Sequence, residues 1–467
     1  LADKNQYVGD LDLSHGQYIL ARVPAACGNG VGAPCIPGGT LPEHVVVTPF
    51  SNNAIYHNTY DNWQPRLGIA YRLDPNTVIR ASFGRFFDNW AAAIQLAQNY
   101  EGTWPTIGQL LINNLNNPIP GAPTPTATAQ DPFHLGTSQP LPAATPFNQV
   151  QWFMTPYIQN PYSDQWNFGV EHQFGNNTVL GANYVGSESI RTDIGSYQNV
   201  AVTPGPGNPQ SRAPYPYIAP TFYDQSVGRA SYNAFQFSLK RATSQGLTYL
   251  VSYTYSKAMD LGADGWFGAE GTNIQNPYDF NGAHSPAGYD LTHIFSASSV
   301  YELPFGTGKK YQSGNSVLDH VMGGWQVNGI VTLTTGPPYT VFAQGDIANT
   351  GNVTEFADVI GNPHVPNPAP AEWFNTAALV NPAQFTFGNL GRNSLRADWS
   401  RNVDLSLFRE FPFSESKSLE FRAEFFNAFN NVVYGTPDST IGDPAFGKVT
   451  GIANTPRQIQ FGLKFYF

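Results

Sequence analysis

Charge is scarce in this chain: Asp, Glu, Lys and Arg make up 12% of its 467 residues, about half the share of an ordinary globular protein. No run approaches roughly 18 consecutive apolar residues, which argues against a membrane-spanning helix. Basic residues never cluster beyond the pair Lys309 and Lys310, and 23 basic side chains stand against 33 acidic ones for a net charge of −10. Nucleic-acid binding therefore has no electrostatic support. Cysteine occurs only twice, and the 9 histidines form neither His-Glu-x-x-His nor a Cys/His cluster, so no metal centre is expected. A Gly-x-Ser-x-Gly elbow is missing too, and with it local support for a Ser hydrolase. These absences point away from an enzyme and from a resident cofactor.

What the chain has instead is 45 Gly, 38 Pro and an aromatic content of 14%. Gly and Pro at this level oppose a long helical bundle. Low charge, aromatic excess and the missing helical span leave two classes: a large soluble β protein or a β-barrel in an outer membrane. The first residue is Leu1, and the opening residues lack the basic-then-apolar order of a signal peptide, so the chain reads as one whose beginning is missing.

Alternation with period two is the strongest pattern, because it puts every second side chain on one face of a strand. At the carboxyl end Ile459, Phe461, Leu463, Phe465 and Phe467 share one face, and Gln460, Gly462, Lys464 and Tyr466 the other. Leu419, Phe421, Ala423 and Phe425 likewise oppose Ser418, Glu420, Arg422 and Glu424. Three charges in a row cannot sit in a dry sandwich core.

The same reading predicts strands over residues 65–73, 77–87, 164–174, 178–187, 232–241, 247–255, 293–303, 325–335, 402–411, 418–425 and 458–467. Most have about ten residues, the length that crosses a bilayer at a tilt, whereas soluble strands average about five or six. Their connections alternate. Residues 74–76, 175–177, 242–246 and 412–417 are tight links, while 88–163, 188–231, 256–292, 336–401 and 426–457 are long excursions. Outer-membrane barrels keep short turns on the periplasmic side and long loops outside. Counting back from Phe467 puts every link on its expected side, with 304–324 the one irregular, medium-length link. A soluble sandwich with such loops at one end would be unusual.

Several smaller features have plain readings. Cys27 and Cys35, separated by a flexible Gly-rich spacer, are disulfide candidates in an oxidising compartment. Residues 89–99 and 315–322 read as short helices, 118–146 as an extended Pro-rich segment, and 16–23 as one further strand, which by the same parity leaves the two cysteines outside the cell. Asp260, Asp264 and Glu270 lack calcium-loop spacing and read as solvated loop acids. Arg66, Arg72, Arg80, Glu420, Arg422 and Glu424 read as the lining of a wet lumen.

The terminal segment holding Gln460, Gly462, Phe465 and Phe467 resembles the signal that outer-membrane barrels present to their assembly machinery. Its physical logic is an exposed strand edge offered for pairing before closure. Further phrases extend the resemblance: Pro65-Arg66-Leu67-Gly68-Ile69-Ala70-Tyr71, Tyr232-Asn233-Ala234-Phe235-Gln236, Ser252-Tyr253-Thr254-Tyr255-Ser256-Lys257 and Tyr301-Glu302-Leu303-Pro304-Phe305-Gly306. Gly323-Gly324-Trp325-Gln326, Phe421-Arg422-Ala423-Glu424-Phe425-Phe426-Asn427 and Pro456-Arg457-Gln458-Ile459-Gln460-Phe461-Gly462 complete it. In this order they resemble the Oar-like branch of TonB-dependent outer-membrane transporters.

The resemblance implies an all-β fold, the carboxyl-terminal portion of an antiparallel transmembrane barrel of about 22 strands, over residues 65–467, with 1–64 an incomplete strand and extracellular loop region. It implies outer-membrane lipid and the barrel-assembly machinery as partners, TonB acting through an amino-terminal plug not visible in this chain, and an unidentified solute. Two rivals remain. One is an adhesion or structural barrel without gated transport; the other is an outer-membrane hydrolase, which requires Ser and His to converge at the outer rim.

Overall fold

The computed structural model describes residues 9–27, 35–36, 39–50, 55–57, 59–88, 104, 146–147, 152–262, 273–352, 354–414 and 417–467. The alternating segments form eleven strands that pair in chain order into one antiparallel sheet. They are β1 (Arg66–Asp74), β2 (Thr77–Phe87), β3 (Tyr162–Phe174) and β4 (Thr178–Gln198). β5 (Thr221–Ser244), β6 (Leu247–Asp260), β7 (His293–Glu302) and β8 (Trp325–Thr334) follow. β9 (Ser400–Pro412), β10 (Ser418–Phe426) and β11 (Gln458–Tyr466) complete the wall. Every expected strand is present. Ten residues at about 3.3 Å each, tilted by about 45°, rise roughly 23 Å, close to the apolar height of an outer membrane.

Local chemistry sets the tight turns. Between β1 and β2, the Asp74 carboxylate accepts from the Asn76 amide (2.7 Å) and the Thr77 hydroxyl (2.8 Å), an Asx turn that closes the hairpin. Between β5 and β6 the corner is Gln245 at φ 53° and Gly246 at φ 79°. Only Gly fits the second position easily, since a Cβ there would lie 2.8 Å from the Glu302 carbonyl oxygen.

β4 and β5 exceed expectation, reaching 21 and 24 residues. Their outer halves continue past the wall through register shifts around Arg191, which has φ 62°. There Ile194, Ser196, Tyr223 and Asp224 are all buried by surrounding loops, so the two-faced alternation stops where the wall stops. Periodicity marks the wall and misses its extension.

The strand expected near residues 16–23 exists as Gln17–Leu20 but does not join the wall. It pairs antiparallel with Gly9–Asp12 and parallel with Val45–Val47. With Tyr18, Ile19 and Leu20 all buried, it has no lipid-facing side, and its four residues are too short to cross a bilayer. Leu11, Tyr18, Leu20 and Ile36 instead pack with Phe153, Ile218 and Tyr223, which belong to the long-link end of the wall. The expected helix at 89–99 and all but the last residue of the Pro-rich segment lie outside the described residues. The expected short helix at 315–322 is α1 (Ser316–Met322), capped by the Asn315 side chain.

Candidate functional site

The register gives the wall two chemically opposite faces. Tyr71, Ile79, Val170, Ala182, Phe237, Tyr253, Phe295 and Leu333 are successive partners across eight strands, an unbroken greasy belt. On the other face Glu171, Gly181, Ser238, Ser252, Ser296, Thr332 and Asn402 form an equally continuous wet belt. The greasy face is uncovered: Leu463 is 72% exposed and Phe461 69%. Burying one such side chain is worth about 1.5–3 kcal/mol, so a row of them facing water would be strongly unfavourable. Lipid is the solvent that satisfies them.

The wet face is concave. A cleft of about 630 Å³ opens over β1–β5, lined by Arg66, Ser82, Phe86, Asn167, Ser187 and Tyr232. All six candidate lining charges stand on this face, in two separated groups. At one edge Arg66 lies over the Phe86 ring (4.6 Å), Arg72 donates to the Pro75 carbonyl (2.8 Å) and Arg80 pairs with Glu171 (2.5 Å). At the other edge Arg422 pairs with Glu420 and covers Phe408 (4.8 Å), with Glu424 beside Gln460 in the register. The Arg80 pair is about half exposed and adds little stability; its effect is a local field.

Of the terminal residues, Gln460 and Gly462 face Glu424 and Arg422 on the wet side, and Phe465 pairs with Leu419 on the greasy side. Phe467 extends past β11 and is 92% exposed. Cys27 and Cys35 form a disulfide with their Cα atoms 4.9 Å apart.

The long links fold into a cap with its own cores. Tyr339, Val341, Phe356, Trp373, Phe374 and Leu395 head the largest, and Val449 from the last long link joins it. Two ion pairs, one fully buried and one joining a buried Asp290 to a partly exposed Arg396, fasten this cap to the outer end of β6 and the loop after it. Arg392, fully buried, pairs with the Asp260 carboxylate and donates to the Asp260 carbonyl (3.1 Å). Arg396 pairs with Asp290, whose carboxylate also accepts from the Ala258 amide (2.6 Å). Sequence reading missed both arginines, because nothing local links residue 392 to 260. Asp260 is accordingly corrected from a solvated loop acid to a buried anchor; Asp264 and Glu270 lie outside the described residues.

Burial also moves two carboxyls outside the wall, Glu355 in the cap and Asp10 in the strand Gly9–Asp12. Glu355 is pushed up to about 7, with nearby Asp346 adding to the effect of burial against the Ala348 amide, which donates to it at 3.0 Å. Asp10 is pushed up to about 8 by burial, against the opposing hydrogen bond from the Tyr56 hydroxyl (2.7 Å).

Ser14 and His15 do meet at 3.0 Å, next to Asp12 at 2.7 Å from the ring. Both contacts converge on the same nitrogen, Nδ1. A hydrolytic triad needs Ser and Asp on opposite ring nitrogens, so this trio is a turn and not a relay. Among the described residues no group of His, Cys, Asp or Glu is arranged to hold a metal.

A family model described as outer membrane beta barrel domain matches residues 2–460. No curated protein matches the chain. Among solved structures, FpvA of P. aeruginosa bound to a pyoverdine is similar at 9% identity and TM-score 0.40, covering 86% of this chain and 32% of that one. The outer membrane transporter YddB of Escherichia coli is similar at 10% identity and TM-score 0.39, covering 84% and 38%. BauA, the ferric preacinetobactin receptor of Acinetobacter baumannii, gives 10% and 0.40, covering 86% and 36%. The chain spans about a third of the length of these structures.

Proposed function

This chain belongs to the family of outer membrane beta barrel domains, and from that premise we propose that it supplies wall and outer mouth to a TonB-dependent transporter. It is a protein of the outer membrane of a Gram-negative-type bacterium. The observation that carries the proposal is the pairing of a continuous wet face with a packed cap at the long-link end. In this reading the wet face lines the passage, the cap captures a solute outside the cell, and lipid covers the greasy face. Arg66, Arg72, Arg80, Glu420, Arg422 and Glu424 give the passage its local charge. Coupling to TonB belongs to an amino-terminal plug of the full-length protein.

β1 and β11 have no second neighbour in the wall among the described residues. We read them as edges that pair with further strands of a larger barrel, in line with the Oar-like resemblance, since bare edges invite aggregation. The carboxyl-terminal Phe467, exposed and beyond the last pairing, is the group offered to the assembly machinery.

The test is solute depletion from the medium by native cells with and without the protein, each with and without a protonophore. Transport expects at least one solute whose depletion needs both the protein and the energised membrane. Unchanged depletion together with lost attachment to surfaces would overturn transport in favour of adhesion.

A further inference from the structure

The link between β7 and β8 departs from its neighbours. At that end of the wall the other connections are tight turns, yet this one folds around α1. A helix on a protein surface in water turns its apolar residues inward. α1 does the opposite. Asp319 is the one buried residue of α1, its carboxylate accepting from the Ser313 amide (2.6 Å), whereas Val317 (74% exposed), Leu318, Val321 and Met322 are all exposed, along with Ser316 and His320.

The helix end is fastened to the greasy face. Arg409 donates to the carbonyls of Val321 (2.6 Å) and His320, and Trp325 Nε1 donates to Val321 as well (3.1 Å). These bonds satisfy carbonyls that a helix end otherwise leaves open. Trp325 and Arg409 are register partners, and the same row continues through Phe421 to Leu463 on that face. The outward surface of α1 is therefore continuous with the lipid-facing wall. In the same link Tyr311 is exposed, with the Lys310 ammonium 5.1 Å from its ring, an aromatic and a cation of the kind that anchor at headgroups.

We infer that α1 is an interfacial foot, lying in the periplasmic leaflet with Val317, Leu318, Val321 and Met322 among the acyl chains of glycerophospholipids and Lys310 at their phosphates. This rests on the membrane-wall reading above. Seven residues make too short a helix to persist in water on propensity alone. Burial of its outward side chains in lipid supplies what propensity lacks, and the Arg409 bonds fix its angle to the wall.

The test uses the full chain in phosphatidylethanolamine and phosphatidylglycerol vesicles, with Val317→Cys, Val321→Cys and the wall control Leu463→Cys each carrying a nitroxide. Cys27 and Cys35 are paired, so labelling without reductant modifies the introduced thiol. Collision with oxygen is expected to exceed collision with a water-soluble nickel chelate several-fold at all three positions. Nickel dominating at 317 and 321 while 463 stays oxygen-rich overturns the foot and leaves the wall reading intact. Nickel dominating at all three overturns both.

Discussion

Arg392→Met tests the proposition that the cap is held by buried charge. The substitution keeps most of the side-chain stem and removes the guanidinium. It strands the Asp260 carboxylate, 3% exposed, and withdraws the donor from the Asp260 carbonyl. Breaking one side of a buried pair costs about 3–5 kcal/mol, or roughly two to three and a half orders of magnitude in the opening equilibrium at 1.36 kcal/mol per decade. Hydrogen exchange of the detergent-solubilised protein reads this directly, since local opening sets the exchange of buried amides. Peptides covering the cap strands around Leu379–Val380 and Leu395–Arg396 should exchange faster by that factor, and peptides from β8 should not change. Adding Asp260→Leu should recover part of the loss, because no buried charge is then left alone. Unchanged cap exchange in Arg392→Met, or equal acceleration of β8, would refute the reasoning.

Three further outcomes follow from the same geometry. Phe237→Lys puts a charge on the greasy belt and should cost about 2–4 kcal/mol of folding stability in vesicles, while Ser238→Lys on the wet belt should cost far less; urea titration of both compares them. Glu355 has a folded-state pKa of about 7, above its ordinary 4.5. A carboxyl raised this way stabilises most below about pH 4.5 and loses that contribution as pH rises through 7. Cap protection factors, with the intrinsic pH dependence of amide exchange divided out, should therefore be higher at pH 5 than at pH 8, and Glu355→Gln should flatten that difference; a profile unaltered by the substitution would count against it. Removing Phe467 should lower the amount assembled in the outer membrane without moving the urea midpoint of the folded fraction, because its exposed ring packs against little. A shifted midpoint would make it structural.

Particular residues show where sequence reading ended. Ile459 to Tyr466 declare their faces in the sequence, and β11 reproduces them; Glu420, Arg422 and Glu424 stand on one face for the same reason. Gln17–Leu20 misled because a short apolar run carries no mark of its neighbours, and in the fold it is buried by partners distant in sequence. Asp260 looked like a loop acid until Arg392 met it.

Side-chain alternation is a local property of an extended backbone between two solvents, so the order of residues alone determined the wall segments of the eleven strands, their faces and the end at which the long links lie. How those links pack, which arginine fastens the cap and why α1 turns its apolar residues outward depend on contacts between residues far apart in the chain. Only the folded arrangement decides those, because the energy of each comes from a neighbour that the adjoining sequence does not specify.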